Sequence, residues 1–266
     1  MLRVARGVKI VFVSVGCNAK TPPEPPARSA LPGVTTGAAP SAAASADGVP
    51  AAVSPVAEKA PPKPNPPKPC NVALVGDSLT DYRVHGGGYA RYLAERCPAS
   101  HFENFARGGA MVNQMRRSFE ENVATAPRGT FTHVIVFGGV NDLYSDETAG
   151  RTTAKIEADL SAIYARARDG GARVVALTVA PWGGFTRWFT PHRAETTREL
   201  NAWILAQRAA RTVDVTVDAH ALLACGDADR LCPRFETARS DGLHFGAAGH
   251  EALGAALYAA EFEGCP

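Results

Sequence analysis

Apolar residues follow two regimes along the 266-residue chain, and the change comes near residue 70. Beyond it, continuous apolar runs alternate with stretches in which apolar residues recur every three or four positions. Val72-Ala73-Leu74-Val75, His133-Val134-Ile135-Val136-Phe137 and Arg173-Val174-Val175-Ala176-Leu177-Thr178-Val179 are runs closed by turn residues. That pattern predicts strands buried on both faces of a parallel sheet. Phe102-Glu103-Asn104-Phe105 and Val213-Asp214-Val215-Thr216-Val217 predict two more. Between the strands, helical spacing appears over Tyr89 to Arg96, ended by Pro98, and over Val112 to Val123. Ile156, Leu160, Ile163, Tyr164 and Ala167 form one apolar face, closed by Gly170-Gly171. Further helices run through Leu200, Trp203, Ile204 and Gln207, and from about Ala247 to Phe262. Strands alternating with helices imply parallel βαβ units with right-handed crossovers. The expected fold is a three-layer α/β/α sandwich on a five-stranded parallel sheet, and no internal repeat is visible.

Before residue 70 the pattern fails. Fourteen of the 20 prolines precede Cys70, among Ala, Ser, Thr and Gly with almost no large apolar residues from Lys20 to Pro69. Such a segment cannot bury enough surface to offset its ordering entropy. Residues 18–70 therefore read as a stalk. Pro61 to Pro69 (PPKPNPPKP) favours polyproline II, a spacer of roughly 28 Å at about 3.1 Å per residue. Ahead of it, Arg3, Arg6 and Lys9 precede the short apolar run Ile10-Val11-Phe12-Val13 and then Ser14-Val15-Gly16-Cys17. The run is too short to span a bilayer but suits a signal peptide. Small residues ending in Cys17 resemble a bacterial lipoprotein cleavage site, although Ser14 stands where such sites favour Leu. The expected plan is a signal peptide over 1–17 with a lipidated cysteine, the stalk, and one catalytic domain over 71–266. The protein would be exported, as a cell-envelope lipoprotein or else secreted or periplasmic, touching the membrane through its lipid anchor only.

Charge and cysteine usage narrow the partners. Twenty-eight basic and 26 acidic residues leave a net charge of +2, which argues against a nucleic-acid surface. Arg116, Arg117, Arg166, Arg168, Arg208 and Arg211 lie mostly on helical patterns among acids. Export would permit disulfides. Without Cys17, five cysteines remain: Cys70, Cys97, Cys225, Cys232 and Cys265. A local Cys225–Cys232 bridge is the first expectation. Cys70, Cys97 and Cys265 should share the rim opposite the strand ends, with Cys97–Cys265 marginally preferred among their pairings.

The chemistry gathers at strand ends. The first strand closes in Gly76-Asp77-Ser78, the second in Asn104-Phe105-Ala106-Arg107-Gly108-Gly109, the third in Gly138-Gly139-Val140-Asn141-Asp142. Singly these are ordinary βα turns. Together they place a hydroxyl, glycine amides and a carboxamide on one rim, a set suited to acyl transfer. Of seven histidines, His101 and His133 begin strands, at the wrong edge, and His250 lies on the last helix. His85, His192 and His220 stand in or beside loops. His244 follows Asp241 by three residues just before that helix, so the carboxylate can orient one ring nitrogen and leave the other outward. The loop Trp182-Gly183-Gly184-Phe185-Thr186-Arg187-Trp188-Phe189 is unusually aromatic and reads equally as a substrate pocket or a satellite core.

These blocks resemble the SGNH (GDSL) hydrolases, esterases and lipases sharing four separated motifs. Gly76-Asp77-Ser78-Leu79 is similar to the first, and Asn104 to Ala110 to the second. Gly139-Val140-Asn141-Asp142 is similar to the third, and Asp241-Gly242-Leu243-His244 to the last. The resemblance implies Ser78 as nucleophile, His244 as base and Asp241 as its orienting acid. It also implies an oxyanion hole from Ser78, Gly109 (with Gly108 as the fallback) and Asn141, and a flavodoxin-like sandwich in agreement with the pattern. Ser78 is not in a Gly-x-Ser-x-Gly elbow, which argues against an α/β-hydrolase. No metal-ligand spacing or phosphate-binding loop is present, so no metal and no cofactor is expected. The leading expectation is a serine carboxylester hydrolase on a small-molecule or glycan ester. An acyltransferase using the same triad and a non-catalytic surface-binding lipoprotein are the alternatives. The intact set of nucleophile, base and donors argues against the last.

Overall fold

A computed structural model describes residues 68–238 and 240–266. The expected signal peptide, Cys17 and the expected stalk up to residue 67 lie outside the described residues. In chain order the elements are β1 (Asn71–Gly76), α1 (Gly88–Arg96), β2 (His101–Asn104), α2 (Val112–Asn122), β3 (His133–Phe137), α3 (Val140–Tyr144), α4 (Asp146–Ala149), α5 (Thr153–Asp169), β4 (Arg173–Leu177), α6 (Pro191–Ala209), β5 (Val215–Val217), α7 (Ala219–Leu223), β6 (Ala224–Cys225), β7 (Asp227–Leu231) and α8 (Ala247–Leu257). A π-helical turn, Tyr258–Phe262, continues α8.

The main sheet has the order β2-β1-β3-β4-β5, and every pairing in it is parallel. Alternate residues of each strand point to opposite faces, so the continuous apolar runs feed two cores. Ala73, Val75, Val134, Val136, Val174 and Ala176 face α2, α5 and α6. Val72, Leu74, Ile135, Phe137, Val175 and Leu177 face α1, α7 and α8. The five-stranded three-layer architecture expected from the pattern is therefore observed.

Boundaries differ where side chains replace the ladder. β4 stops at Leu177, two residues early, because Asn201 of α6 takes the Val179 backbone with both side-chain ends (2.8 and 3.1 Å). β5 starts at Val215: Asp214 still gives its N–H to the Val174 carbonyl, but the Val174 N–H goes to Asp214 Oδ2, shared with an Arg168 N–H, and not to a backbone carbonyl. The segment expected as a loop between Cys225 and Cys232 is an antiparallel hairpin of β6 and β7, turning at Gly226 and closed by the Cys225–Cys232 disulfide. A second disulfide joins Cys97 to Cys265 across 168 residues, at the rim where the strands begin. Among the described residues Cys70 has no disulfide partner, and it is half-buried.

Candidate active site

The chain reverses winding direction at β1, and ligands of open α/β sheets bind beyond the strand ends at such a switch point. Ser78 lies there, two residues past β1. Asp77 builds the turn: its carbonyl accepts the Thr80 and Asp81 amides (3.1 and 2.9 Å), and its Oδ1 accepts the Leu79 N–H (3.0 Å). Ser78 is left at the tip with its hydroxyl toward the crevice.

Ser78 Oγ is 2.8 Å from His244 Nε2, across 166 residues of sequence. His244 Nδ1 is 2.7 Å from Asp241 Oδ2. Asp241 Oδ1 accepts the amides of Leu243 (3.0 Å) and His244 (2.8 Å), so the short Asp-x-x-His segment curls around its own carboxylate. A carboxylate on Nδ1 requires a proton there, which leaves the Nε2 lone pair facing the serine hydroxyl. Burial alone would raise the Asp241 pKa, but the hydrogen bonds from His244 and Leu243 outweigh it and hold the carboxyl below its usual range. Gly242 lies between Asp241 and His244 at φ 79°, and a Cβ on it would overlap Gly184 of the aromatic loop. Only glycine lets these two loops touch.

The candidate oxyanion donors come from the next two strand ends. Gly109 has φ 74°, and no atom lies within 4 Å of where its Cβ would be, so its backbone borders open crevice. Gly108 cannot serve equally, because its amide is already given to Asp81 Oδ2 (2.8 Å). Arg83 grips Asp81 with two bonds (2.8 and 2.9 Å) and keeps its carboxyl near about 2, a fixed anion under the glycine turn. Asn141 is buried and donates one Nδ2 hydrogen to the Ala110 carbonyl (3.0 Å). A primary amide carries two, which leaves one for a ligand. Next to it, Asp142 is fully buried and accepts Val112 N–H (2.8 Å) at the start of α2 and Arg151 Nε (2.7 Å). Arg151 continues to Asp159 (2.7 Å), which also holds Arg116 (2.8 Å). This relay ties the loop after β2 to the helix after β3, the two segments that carry Gly109 and Asn141.

Residues 74–252 match the profile of the GDSL-like Lipase/Acylhydrolase family, and this span contains all four blocks and both donor loops. The chain belongs to that family. No curated protein sequence matches this hydrolase closely enough to count as a relative. Solved structures do. One, a lipolytic protein of the G-D-S-L family from Veillonella parvula, is 18% identical, with 73% of this chain and 98% of that chain covered at a TM-score of 0.59. A GDSL-like lipase from Bacteroides thetaiotaomicron is 19% identical, with 71% and 86% covered at 0.56. An acetyl xylan esterase is 18% identical, with 71% and 98% covered at 0.56. At these identities the likeness is one of fold.

Around Ser78 the hydrolase opens a cleft of about 640 Å³ that takes in Gly109, Asn141, Asp241 and His244. The sequence pattern missed much of its lining. Val84, Tyr144 and His250 line it. The aromatic loop divides between its two readings. Phe185 lines the cleft, edge-on to Tyr144 at 6.2 Å. Trp182 is buried, its Nε1 donating to Thr197 (3.0 Å) and its ring meeting Phe189 at 4.8 Å. Asp77 also escaped notice. Its Oδ2 is buried without a partner, and burial pushes the carboxyl up to about 7.

Proposed function

We propose that the hydrolase is a serine esterase cleaving small-molecule or glycan carboxylic esters through an acyl-enzyme on Ser78. The observation that carries this reading is the unbroken chain of hydrogen bonds Ser78–His244–Asp241 in the cleft (2.8 and 2.7 Å). Ser78 Oγ attacks the acyl carbon while its proton passes to His244 Nε2. The carbonyl oxygen becomes an oxyanion that meets the amides of Ser78 and Gly109 and the free Nδ2 hydrogen of Asn141. Collapse breaks the bond to the alcohol, which leaves with the proton held by His244. Water then attacks the acyl-enzyme, gives a proton to His244, and Ser78 recovers it as the acid departs. Asp241 stays ionised throughout and holds the imidazole in the tautomer that accepts from serine.

Ser78→Ala tests the reading. The folded variant should lose labelling by a fluorophosphonate and roughly 10⁶-fold in kcat. Wild-type ester hydrolysis by Ser78→Ala would remove the triad and favour a binding protein. The two disulfides fit an exported protein. We place it in the cell envelope through a lipidated Cys17. A Cys17→Ser variant expressed in a bacterial host should then move from the detergent phase to the soluble fraction, whereas an already soluble wild type would leave secretion without an anchor.

A further inference from the structure

The cleft does not stop at the triad. A second compartment of about 580 Å³ adjoins it, with His85, Gly86, Thr237, Phe245 and His250 common to both. Ser78, Asp241, His244, Gly109 and Asn141 border only the first compartment. Gly246 and Ala247, which follow His244 in the chain, border only the second. The two also differ in chemistry. Leu79, Val84, Phe185 and Leu243 make the first largely apolar. The second carries Arg91, Glu95 and Arg96 from α1 and Glu251 from α8.

His250 stands at the junction and is only 7% exposed. Its ring lies between Phe245 at 4.5 Å and Tyr89 at 6.3 Å, and a Cβ on Gly88 would come within 2.9 Å of its Cγ. Its Nδ1 is buried without a partner. Burial, with Arg91 and His244 nearby, holds its pKa near about 4, so the ring is neutral and carries one proton. A proton on the sealed Nδ1 would be a buried donor with no acceptor, which costs more than an idle lone pair. The proton therefore belongs on Nε2, where it can be offered to the cleft.

The reaction assigns a direction to this layout. His244 must protonate the departing oxygen, so the alcohol lies on the base side, while Gly109 and Asn141 hold the carbonyl oxygen on the other. Lined by Phe245, Gly246 and Ala247, the residues that follow His244, and by neither Gly109 nor Asn141, the charged compartment extends the cleft from its base side. Its two cations and two anions balance, which gives an anion no preference but presents donors and acceptors together, as hydroxyl groups require. An alkyl alcohol would desolvate the same groups without replacing their hydrogen bonds.

Building on the serine-esterase reading, we propose that the second compartment is the leaving-alcohol subsite, that it takes a neutral polyhydroxylated alcohol such as a sugar, and that His250 is a specificity-determining residue donating from Nε2 to an oxygen of that alcohol. Values of kcat/KM for 6-O-acetylglucose, hexyl acetate and 4-nitrophenyl acetate, which share one acyl group, test it. Wild type should prefer the sugar acetate to hexyl acetate. Arg91→Ala and Glu251→Ala should each lower the ratio of sugar acetate to hexyl acetate by about three- to tenfold. His250→Phe should lower it similarly and His250→Gln, which restores a donor, should recover part of it. If the packed His250 site does not tolerate phenylalanine, the two surface variants still decide. A wild-type preference for hexyl acetate, or an unchanged ratio in both surface variants, overturns the subsite while 4-nitrophenyl acetate turnover through Ser78 upholds the esterase. Absence of turnover of all three acetates by wild type would overturn both.

Discussion

Two histidine–carboxylate pairs stand at opposite rims of the same sheet, in surroundings that suit them to different work. At the rim where the strands end, His244 and Asp241 are both exposed and come from one short turn. At the rim where they begin, His133 of β3 meets Glu261 of the π-helical turn at 3.1 Å, and both are largely buried. The pairs share their chemistry but not their second partners. His133 spends its other nitrogen on Thr132 Oγ1 (2.8 Å) and packs on Phe262, while Glu261 is also gripped by Arg173. Burial alone would raise the Glu261 pKa, yet the bonds from His133 and Arg173 hold it near about 2. Every polar atom of that pair is committed, Nδ1 of His133 to Thr132 and the others to joining β3 and β4 to the π-helical turn after α8. His244 instead turns its second nitrogen to a hydroxyl in an open cleft. A histidine beside a carboxylate becomes a base only where its remaining nitrogen faces a group that can react.

Exchanging the same mutation between the two pairs should separate their roles most strongly. His244→Ala should cost roughly 10⁶-fold in kcat with little change in thermal midpoint. His133→Ala should keep ester hydrolysis while losing about 1–3 kcal/mol of stability, because it leaves Glu261 short of a buried partner. Kinetics and denaturant melts on both variants check this, and activity loss in His133→Ala without unfolding would erase the distinction. Asn141→Ala should act on the catalytic rim alone, lowering kcat by roughly 10²- to 10³-fold with KM nearly unchanged. A matching rise in KM would instead assign Asn141 to ground-state binding.

The smallest effect sharpens the comparison through a carboxyl with no histidine at bonding distance. Asp77 lies beneath Ser78 with its pKa raised to about 7 by burial. For an acid raised in the folded state, the native protein binds the extra proton. Its contribution is therefore intact below the unfolded value of about 3.9 and is lost as pH rises through about 7. Asp77→Asn keeps the oxygen that accepts from Leu79 but cannot ionise. Its thermal midpoint should gain on wild type as pH rises from about 4 to about 7 and level off above, read by melts across that range. A constant offset would show that Asp77 does not titrate there. Glu261 has the opposite sign: its contribution is present above its unfolded value and fails only as pH falls through about 2.

Much of the molecule was legible because its determinants are local. Apolar runs and helical periodicity depend on near neighbours, so the five strands and the main helices, with their inward faces, could be read directly. The Asp241–His244 pair was equally accessible, since three residues of turn hold carboxylate and imidazole together. The Ser78–His244 contact was not local, and only the resemblance to a family pointed to it. It forms because parallel pairing brings the end of β1 and the turn before α8 to one rim. The same distance from sequence hid other features. Gly109 is distinguished from Gly108 by a carboxylate 27 residues away from the latter. Trp182 and Phe185 part company according to which layer each meets, and Cys97 finds Cys265 rather than Cys70 across the opposite rim. His250 looked like one more helical residue until α1 and α8 packed, sealed one nitrogen and left its ring between two compartments. Periodicity and turn chemistry are properties of a few consecutive residues. Which side chains meet, and which nitrogen is left free, depends on how the layers close over one another.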